Sequence, residues 1–428
     1  MPSAAPYRDS RRSYKKHRAC SGACRSDASR DRRSGSRQAS DRRVRRLHCG
    51  AMNIPAQSAD VDRRIPVTLL TGFLGAGKTT LLNHLLRQPQ MEGSAVLINE
   101  FGAVGVDHHL VEKVDESLVV LDSGCICCSV QGDLVRALKS LFMRALRREL
   151  KGLRRVLIET TGLADPAPVI HTLMAEPFLS ERYRLDGVVT AVDLTHAREQ
   201  LAHHNEAVRQ VAMADRVLLT KGDLAADAMR AEVGALVAAL NPGARQIEVA
   251  GGEVGPEAVF GCGLYDPAGK TPDVAAWLGE EAVRAARRAP VAPLWRRPGR
   301  SGAGVHSLTA AEQENSRHTP GVSAFVLVFD EPLDWFGFSD GLALLLQVYG
   351  GRILRIKGLL NVAGDPLPRV LQCVQHSVYP ASSLPAWPDS APYDDRRSRL
   401  VFIVRELAED EVISILGSFT GQLPRRAD

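Results

Sequence analysis

The sequence predicts an α/β fold: a mainly parallel sheet covered by helices on both sides, followed by a smaller C-terminal α+β domain. Three observations lead there. Short apolar runs of strand length alternate with amphipathic segments through the first half of the chain. A stretch rich in Arg, Pro, Gly and Ser then breaks the pattern. Beyond it, several strand-like runs are grouped with only two helical ones, as in a small antiparallel unit.

The chain has 428 residues and a formal net charge of +5. Residues 1–50 hold 15 basic and four acidic residues, while the rest holds 39 basic and 45 acidic. The body is therefore mildly acidic and the positive charge is concentrated in a tail. Residues 1–60 are poor in apolar side chains and are expected to be a disordered basic extension with no part in the chemistry. A basic arm can touch nucleic acid loosely, but no specific nucleic-acid partner is expected. Asp9, Asp27, Asp31 and Asp41 argue against a transit peptide. Met52 offers an alternative start, from which residues 1–51 would not be translated.

Strands are expected at residues 66–70, 95–98, 118–121, 156–158, 187–192 and 217–219. Between them, residues 80–86 and 133–150 have helical character, with Leu81, Leu82, Leu85 and Leu86 on one helical face. Residues 288–320 read as a linker between a first domain at 61–287 and a second at 321–428. In the second, strands are expected at 322–329, 352–357, 371–377 and 400–404. Its helices are expected from near Ser339 and over 410–419.

Composition excludes several classes. Hydrophobic residues are 45% and charged residues 24%, values ordinary for a globular protein. No run of 18 apolar residues suggests a membrane span, and no apolar segment of signal-peptide type follows the basic start. A cytoplasmic protein without a membrane partner is expected. Eight cysteines are too few for a secreted disulfide scaffold in a chain this long. Cys20, Cys24 and Cys49 lie in the tail, and Cys262 and Cys373 stand alone.

After the first strand comes GFLGAGKT at residues 72–79, a full P-loop pattern between a strand and a helix. Its glycines let backbone N–H groups wrap a triphosphate, Lys78 neutralises the β/γ charge, and Thr79 offers a hydroxyl to Mg²⁺. The first unit is thus expected to be a P-loop NTPase domain. The strand at 156–158 runs into ETTG at residues 159–162. Glu159 can hold Mg²⁺ through water, and the Gly162 N–H can contact the γ-phosphate. A third strand ends in TKGD at residues 220–223. There Asp223 can accept from the two donors of guanine that adenine lacks, and Lys221 can lie along the base. The alternative for that segment is a turn with a solvated Lys–Asp pair.

CICC at residues 125–128 places Cys125, Cys127 and Cys128 within four positions. Thiolates bind zinc and copper(I) well, and three of them leave an open coordination position, as a transfer site requires. A redox pair or incidental buried cysteines are the alternatives. Residues 99–100, 125–128, 159 and 220 all follow apolar strands, so a parallel sheet would bring them to one edge. The central expectation is that a switch loop moving on hydrolysis alters the metal's coordination.

With these motifs the chain resembles the CobW-type GTPases, a family that includes zinc metallochaperones and cobalamin-synthesis proteins. The resemblance rests on GFLGAGKTT at 72–80, NEFG at 99–102, GCICC at 124–128, ETTGLADP at 159–166 and TKGD at 220–223. A softer likeness covers 352–358 and 400–405. It implies GTP bound by Gly72, Gly75, Ala76, Gly77, Lys78, Thr79, Thr80, Gly162, Thr220, Lys221 and Asp223. Lys78, Thr79 and Glu159 would serve hydrolysis. It also implies zinc, with cobalt as a second candidate, bound by Cys125, Cys127 and Cys128, with Glu100 as an oxygen ligand. The chain departs from the family in carrying Ala103 where members often have Glu, and only His306 and His318 in the linker. His108, His109, His203 and His204 are weaker ligand candidates.

The expected function is GTP-driven delivery of zinc to a client metalloprotein docked on the second domain, with a homodimer as one assembly the sequence allows. No arginine finger or catalytic Gln is evident, so turnover should be slow without a partner. Two rival readings stay open: a cobalt factor for cobalamin synthesis or nitrile hydratase activation, and a nucleotide-binding thiol redox sensor.

Overall fold

The computed structural model describes residues 62–98, 119–122, 130–150, 152–262, 274–288, 321–389 and 391–427. The basic tail, the cysteine cluster and most of the 288–320 linker lie outside them. Among the described residues no helix is long and apolar enough to cross a membrane.

The first sheet contains β1 (Ile65–Gly72), β2 (Ser94–Ile98), β3 (Val119–Asp122), β4 (Arg155–Glu159), β5 (Tyr183–Asp193), β6 (Arg216–Thr220) and β7 (Arg245–Glu248). Their order is β3-β2-β4-β1-β5-β6-β7, and every pairing is parallel. Strand alternation sends Val67, Leu69, Ala95, Leu97, Val156 and Ile158 to one face. Leu70, Val96, Ile98 and Leu157 go to the other. Helix α1 (Lys78–Leu86) covers the second face with Leu81, Leu82, Leu85 and Leu86, the four residues its periodicity marks. The first face carries α2 (Val130–Leu146), α3 (Ala167–Ala175), α6 (Asn205–Met213) and α7 (Asp227–Leu240). Shorter helices α4 (Pro177–Arg182), α5 (Ala197–His203) and α8 (Pro256–Val259) complete the layers. The expected parallel sheet buried on both sides is what the chain forms. Strand β7 escapes sequence reading because it is an edge strand with half-exposed residues and one apolar member, Ile247.

After α9 (Val274–Leu278) and α10 (Glu280–Arg288) comes the second sheet. Its strands are β8 (Val322–Phe329), β9 (Ile353–Leu360), β10 (Arg369–Val374), β11 (Ser377–Val378), β12 (Ser382–Ser383), β13 (Ser398–Arg405) and β14 (Arg425–Arg426). The path is β11-β10-β9-β13-β8-β14, with β12 on β10, and all these pairings are antiparallel. One face, with Phe325, Leu327, Leu400 and Phe402, is covered by α11 (Trp335–Tyr349) and α12 (Glu409–Thr420). The other face is divided. Val326, Val328 and Val401 meet Val274, Trp277 and Leu278 of α9. Val322, Leu354, Val374 and Ile403 join the core of the first domain. Helix α11 starts at Trp335 rather than near Ser339, because the Asp334 carboxylate accepts from the Gly337 N–H at 2.7 Å and caps it four residues earlier.

A β-bulge decides how the two domains meet. Ile403 pairs with Arg355 and Val404 with Ile353, leaving Leu354 as the extra residue. Leu354 and Arg355 therefore both point toward the first domain. There the Arg355 guanidinium lies 2.5 Å from the Asp215 carboxylate, with the Lys357 ammonium at 3.2 Å. Arg355 also donates to the Met213 carbonyl at 3.2 Å. Burial pushes the Asp215 carboxyl up, but the charges of Arg355 and Lys357 more than offset this and hold it below the ordinary carboxylate value.

Asp215→Asn should cost about 3–5 kcal/mol, because it leaves two buried cations without a counter-charge. Asp215 has a depressed folded-state value. Its contribution is therefore complete above about pH 4 and is lost as the pH falls through that value. Thermal unfolding should show the wild type losing stability on acidification more steeply than the variant.

Candidate functional site

All strands of the first sheet end on one edge, with Gly72, Ile98, Asp122, Glu159, Asp193, Thr220 and Glu248 as last residues. From Gly72 the chain passes over residues 73–77 into α1. Gly77 precedes that helix with φ of 81°, a left-handed conformation that glycine adopts without steric cost and that starts the turn. Lys78 opens the helix, is buried, and donates through Nζ to the carbonyls of Gly72 at 2.9 Å and Phe73 at 3.3 Å. The ammonium thus spans the loop it follows. Thr79 and Thr80 lie in the first helical turn, Thr79 half-buried and Thr80 exposed.

Two further predicted motifs touch this loop. The Thr220 hydroxyl donates toward the Ala76 carbonyl at 2.8 Å and lies 3.1 Å from that of Val192. This ties the TKGD turn to the phosphate loop. On the other side, Thr160 N–H donates to the Leu70 carbonyl at 2.9 Å, and the Thr160 and Thr71 hydroxyls are 2.9 Å apart. Gly162 then passes so close to the loop that a Cβ there would sit 2.7 Å from the Leu74 nitrogen. Only glycine permits that approach. Glu159 is buried at the end of β4, between β1 and β2.

At the far end of the TKGD turn the Asp223 carboxylate accepts from the Gly251 N–H at 2.9 Å. Gly252 lies against Thr80, and a side chain at that position would begin only 2.6 Å from the threonine Cγ2. Lys221 has φ of 59° and extends its ammonium to Asp193 Oδ2 at 2.7 Å. Asp193 is buried and also accepts from Thr195 N–H at 2.9 Å and Thr195 hydroxyl at 2.6 Å, with His196 Nδ1 at 3.1 Å. Burial raises its carboxyl, and the bonds from Lys221 and Thr195 outweigh that and hold it below the ordinary value. Sequence reading missed Asp193, Gly251 and Gly252. The signal for Asp193 was present: it is the first polar residue after the apolar run of β5, at the same edge as Glu159 and Thr220.

A fourth missed residue is Gln210 of α6. It is fully buried, and its Nε2 donates to the carbonyls of Gly162 at 3.1 Å and Ala164 at 3.0 Å. It thereby fixes the segment that carries Gly162. His204 stacks on Phe73 of the loop with ring centroids 4.5 Å apart, and His203 Nδ1 lies 3.0 Å from the Glu199 carbonyl. These contacts give both histidines structural surroundings.

The predicted metal ligands Cys125, Cys127, Cys128 and Glu100 lie outside the described residues, as do Ala103, His108, His109, His306 and His318. Among the described residues no cluster of His, Cys, Asp and Glu could hold a metal ion. Cys262 and Cys373 are free thiols pushed up by burial, as packing cysteines are. The strands that lead to the cysteine cluster are described. Asp122 at the end of β3 pairs with Ile98, Ile98 pairs with Glu159, and Glu159 pairs with Leu70 two residues before Gly72.

Residues 66–248 match the CobW/HypB/UreG nucleotide-binding domain, and residues 322–420 match the cobalamin synthesis protein cobW C-terminal domain. The chain is 34% identical to the zinc chaperone YjiA of Escherichia coli over 348 residues, covering 81% of this chain and 96% of that protein. It is 25% identical to the zinc-regulated GTPase metalloprotein activator 1 of Saccharomyces cerevisiae, covering 88% of this chain and 89% of that one. The crystal structure of zinc-bound YjiA GTPase from E. coli superposes with a TM-score of 0.56 at 29% identity, covering 83% of this chain and 99% of that one.

Proposed function

This chain belongs to the CobW family of P-loop GTPases, and from that premise we propose that it hydrolyses GTP and couples the hydrolysis to binding and release of zinc through Cys125, Cys127 and Cys128. The observation that carries the nucleotide part is the bond from the Thr220 hydroxyl to the Ala76 carbonyl. It joins the segment that would read guanine to the loop that would hold the phosphates. Backbone N–H groups of residues 75–79 and the Lys78 ammonium would stabilise the charge that develops on the γ-phosphate as water attacks it. The Thr79 hydroxyl, and the Glu159 carboxylate through water, are the hard oxygen donors that would hold Mg²⁺, and the ion would supply positive charge against the triphosphate. Gly162, tethered through Gln210, would offer its N–H to the γ-phosphate.

The metal part is supported by the sheet register and by the relatives that are named zinc chaperones. Cys125 is three residues beyond Asp122, so the chain can carry it at most about 11 Å from that strand end. Strand spacing puts β3 about 14 Å from β1, and both strands end on the same edge, which supports a thiolate site on the side of the phosphate loop. The zinc would then pass to a client metalloprotein, with the second domain as its docking module.

Base specificity tests the nucleotide part. Asp223→Asn keeps an oxygen for the Gly251 N–H but loses the charged acceptor for guanine. The wild type should hydrolyse GTP in preference to ATP, and the variant's KM for GTP should rise about 10²-fold, as loss of charged hydrogen bonds predicts. Equal use of the two nucleotides by the wild type would refute the reading.

A further inference from the structure

We propose that Asp165 is a positioning residue of the nucleotide site and that the second domain holds it in place through Gln375. The inference rests on the nucleotide reading above and names how that site is regulated. Asp165 lies three residues beyond Gly162, on the segment whose peptide faces the phosphate loop. Its Oδ1 accepts from the Ala167 N–H at 3.0 Å and so fixes the start of α3. Its Oδ2 accepts from Arg209 Nη1 of α6 at 3.1 Å and from Gln375 Nε2 at 3.2 Å.

Gln375 belongs to the turn between β10 and β11, more than 200 positions away in the chain. A second contact repeats the link six residues further on: His171 Nδ1 of α3 lies 3.1 Å from the hydroxyl of Ser377. The turn of the second sheet therefore grips the switch segment and the helix that follows it.

The backbone of that turn adds a further reason. Gln375 has φ of 48°, in the left-handed region where Gly or Asn would sit with less strain. A glutamine there gives up local comfort and gains reach, and its amide spends that reach on Asp165. Such strain is a pointer to function when the side chain has a defined partner. Loss of a γ-phosphate contact at Gly162 would move residues 162–165, and Asp165 cannot move without straining or breaking its bond to the second domain. By reciprocity, whatever displaces the β10–β11 turn alters the placement of Gly162. A client protein docked on the second domain is thereby given a route to the rate of GTP turnover.

The test uses the full-length chain with Gln375→Gly and Gln375→Lys. Glycine relieves the left-handed φ, so this variant should unfold at no lower temperature than the wild type. It should nonetheless lose at least about fivefold in kcat for GTP, with KM and the affinity for a fluorescent GDP analogue unchanged, because a slightly misplaced Gly162 N–H stabilises the developing γ-phosphate charge less well. Lysine keeps a donor within reach of Asp165 and should restore kcat. A Gln375→Gly variant with wild-type kcat, or a Gln375→Lys variant as slow as Gln375→Gly, would overturn the proposal while leaving the nucleotide reading intact. A wild-type chain that neither binds nor hydrolyses GTP would overturn that reading, and the proposal with it.

Discussion

Lys78→Ala should lower kcat/KM for GTP by about 10²- to 10³-fold, the usual loss when a preorganised charge stabiliser is removed from a transition state. The expectation follows from where the side chain lies. Its ammonium is buried within the loop of residues 72–77 and bonded to the Gly72 and Phe73 carbonyls, so it is already placed where a triphosphate would be wrapped. No solvent shell has to be stripped from it when charge develops nearby. The fold should survive the change, because α1 is held by Leu81, Leu82, Leu85 and Leu86 against β1, β2 and β4. Phosphate release measured at saturating Mg²⁺, with thermal unfolding as a control, checks this. Turnover like the wild type's in a folded variant would contradict the assignment of the loop.

Much of this architecture was legible in the chain itself. The strands at 66–70, 95–98, 156–158 and 217–219 are nearly continuous apolar runs, because a parallel sheet between two helical layers must be apolar on both faces. The P-loop was legible because glycines at fixed spacing followed by Lys and Thr serve one local geometry. Interactions that join distant segments left weaker traces. Gln210 and Gln375 carry no motif, and Asp165 lies in the ETTGLADP segment without any sign of its partners; their importance comes from carbonyls, carboxylates and amides that only folding brings together. The bulge at Leu354 is invisible in an apolar run, yet it turns Arg355 onto Asp215 and sets the contact between domains. Helix α11 began earlier than its apolar period suggested because the capping Asp334 precedes two aromatic residues and a glycine, none of which advertises a helix start.

Zinc binding carries the largest remaining effect. Cys125→Ser, Cys127→Ser and Cys128→Ser together replace soft thiolates by hydroxyls that stay protonated at neutral pH, and such oxygens are poor zinc ligands. The triple variant should lose tight zinc binding and keep its affinity for GTP, since Lys78, Thr220 and Asp223 are untouched. The wild type should bind one zinc per chain, and the bound nucleotide should set how tightly. Glu159 sits between β1 and β2 in the register, and β2 also borders β3, so one strand edge leads both to the phosphate loop and to the cysteines. The decisive measurement is competition for zinc between the full-length chain and a chelating dye, in the presence of GDP and then of a non-hydrolysable GTP analogue. Coupling of ordinary size predicts affinities that differ by about 5- to 150-fold between the two states. Identical zinc affinity in both would contradict the claim that the nucleotide cycle loads and unloads the metal.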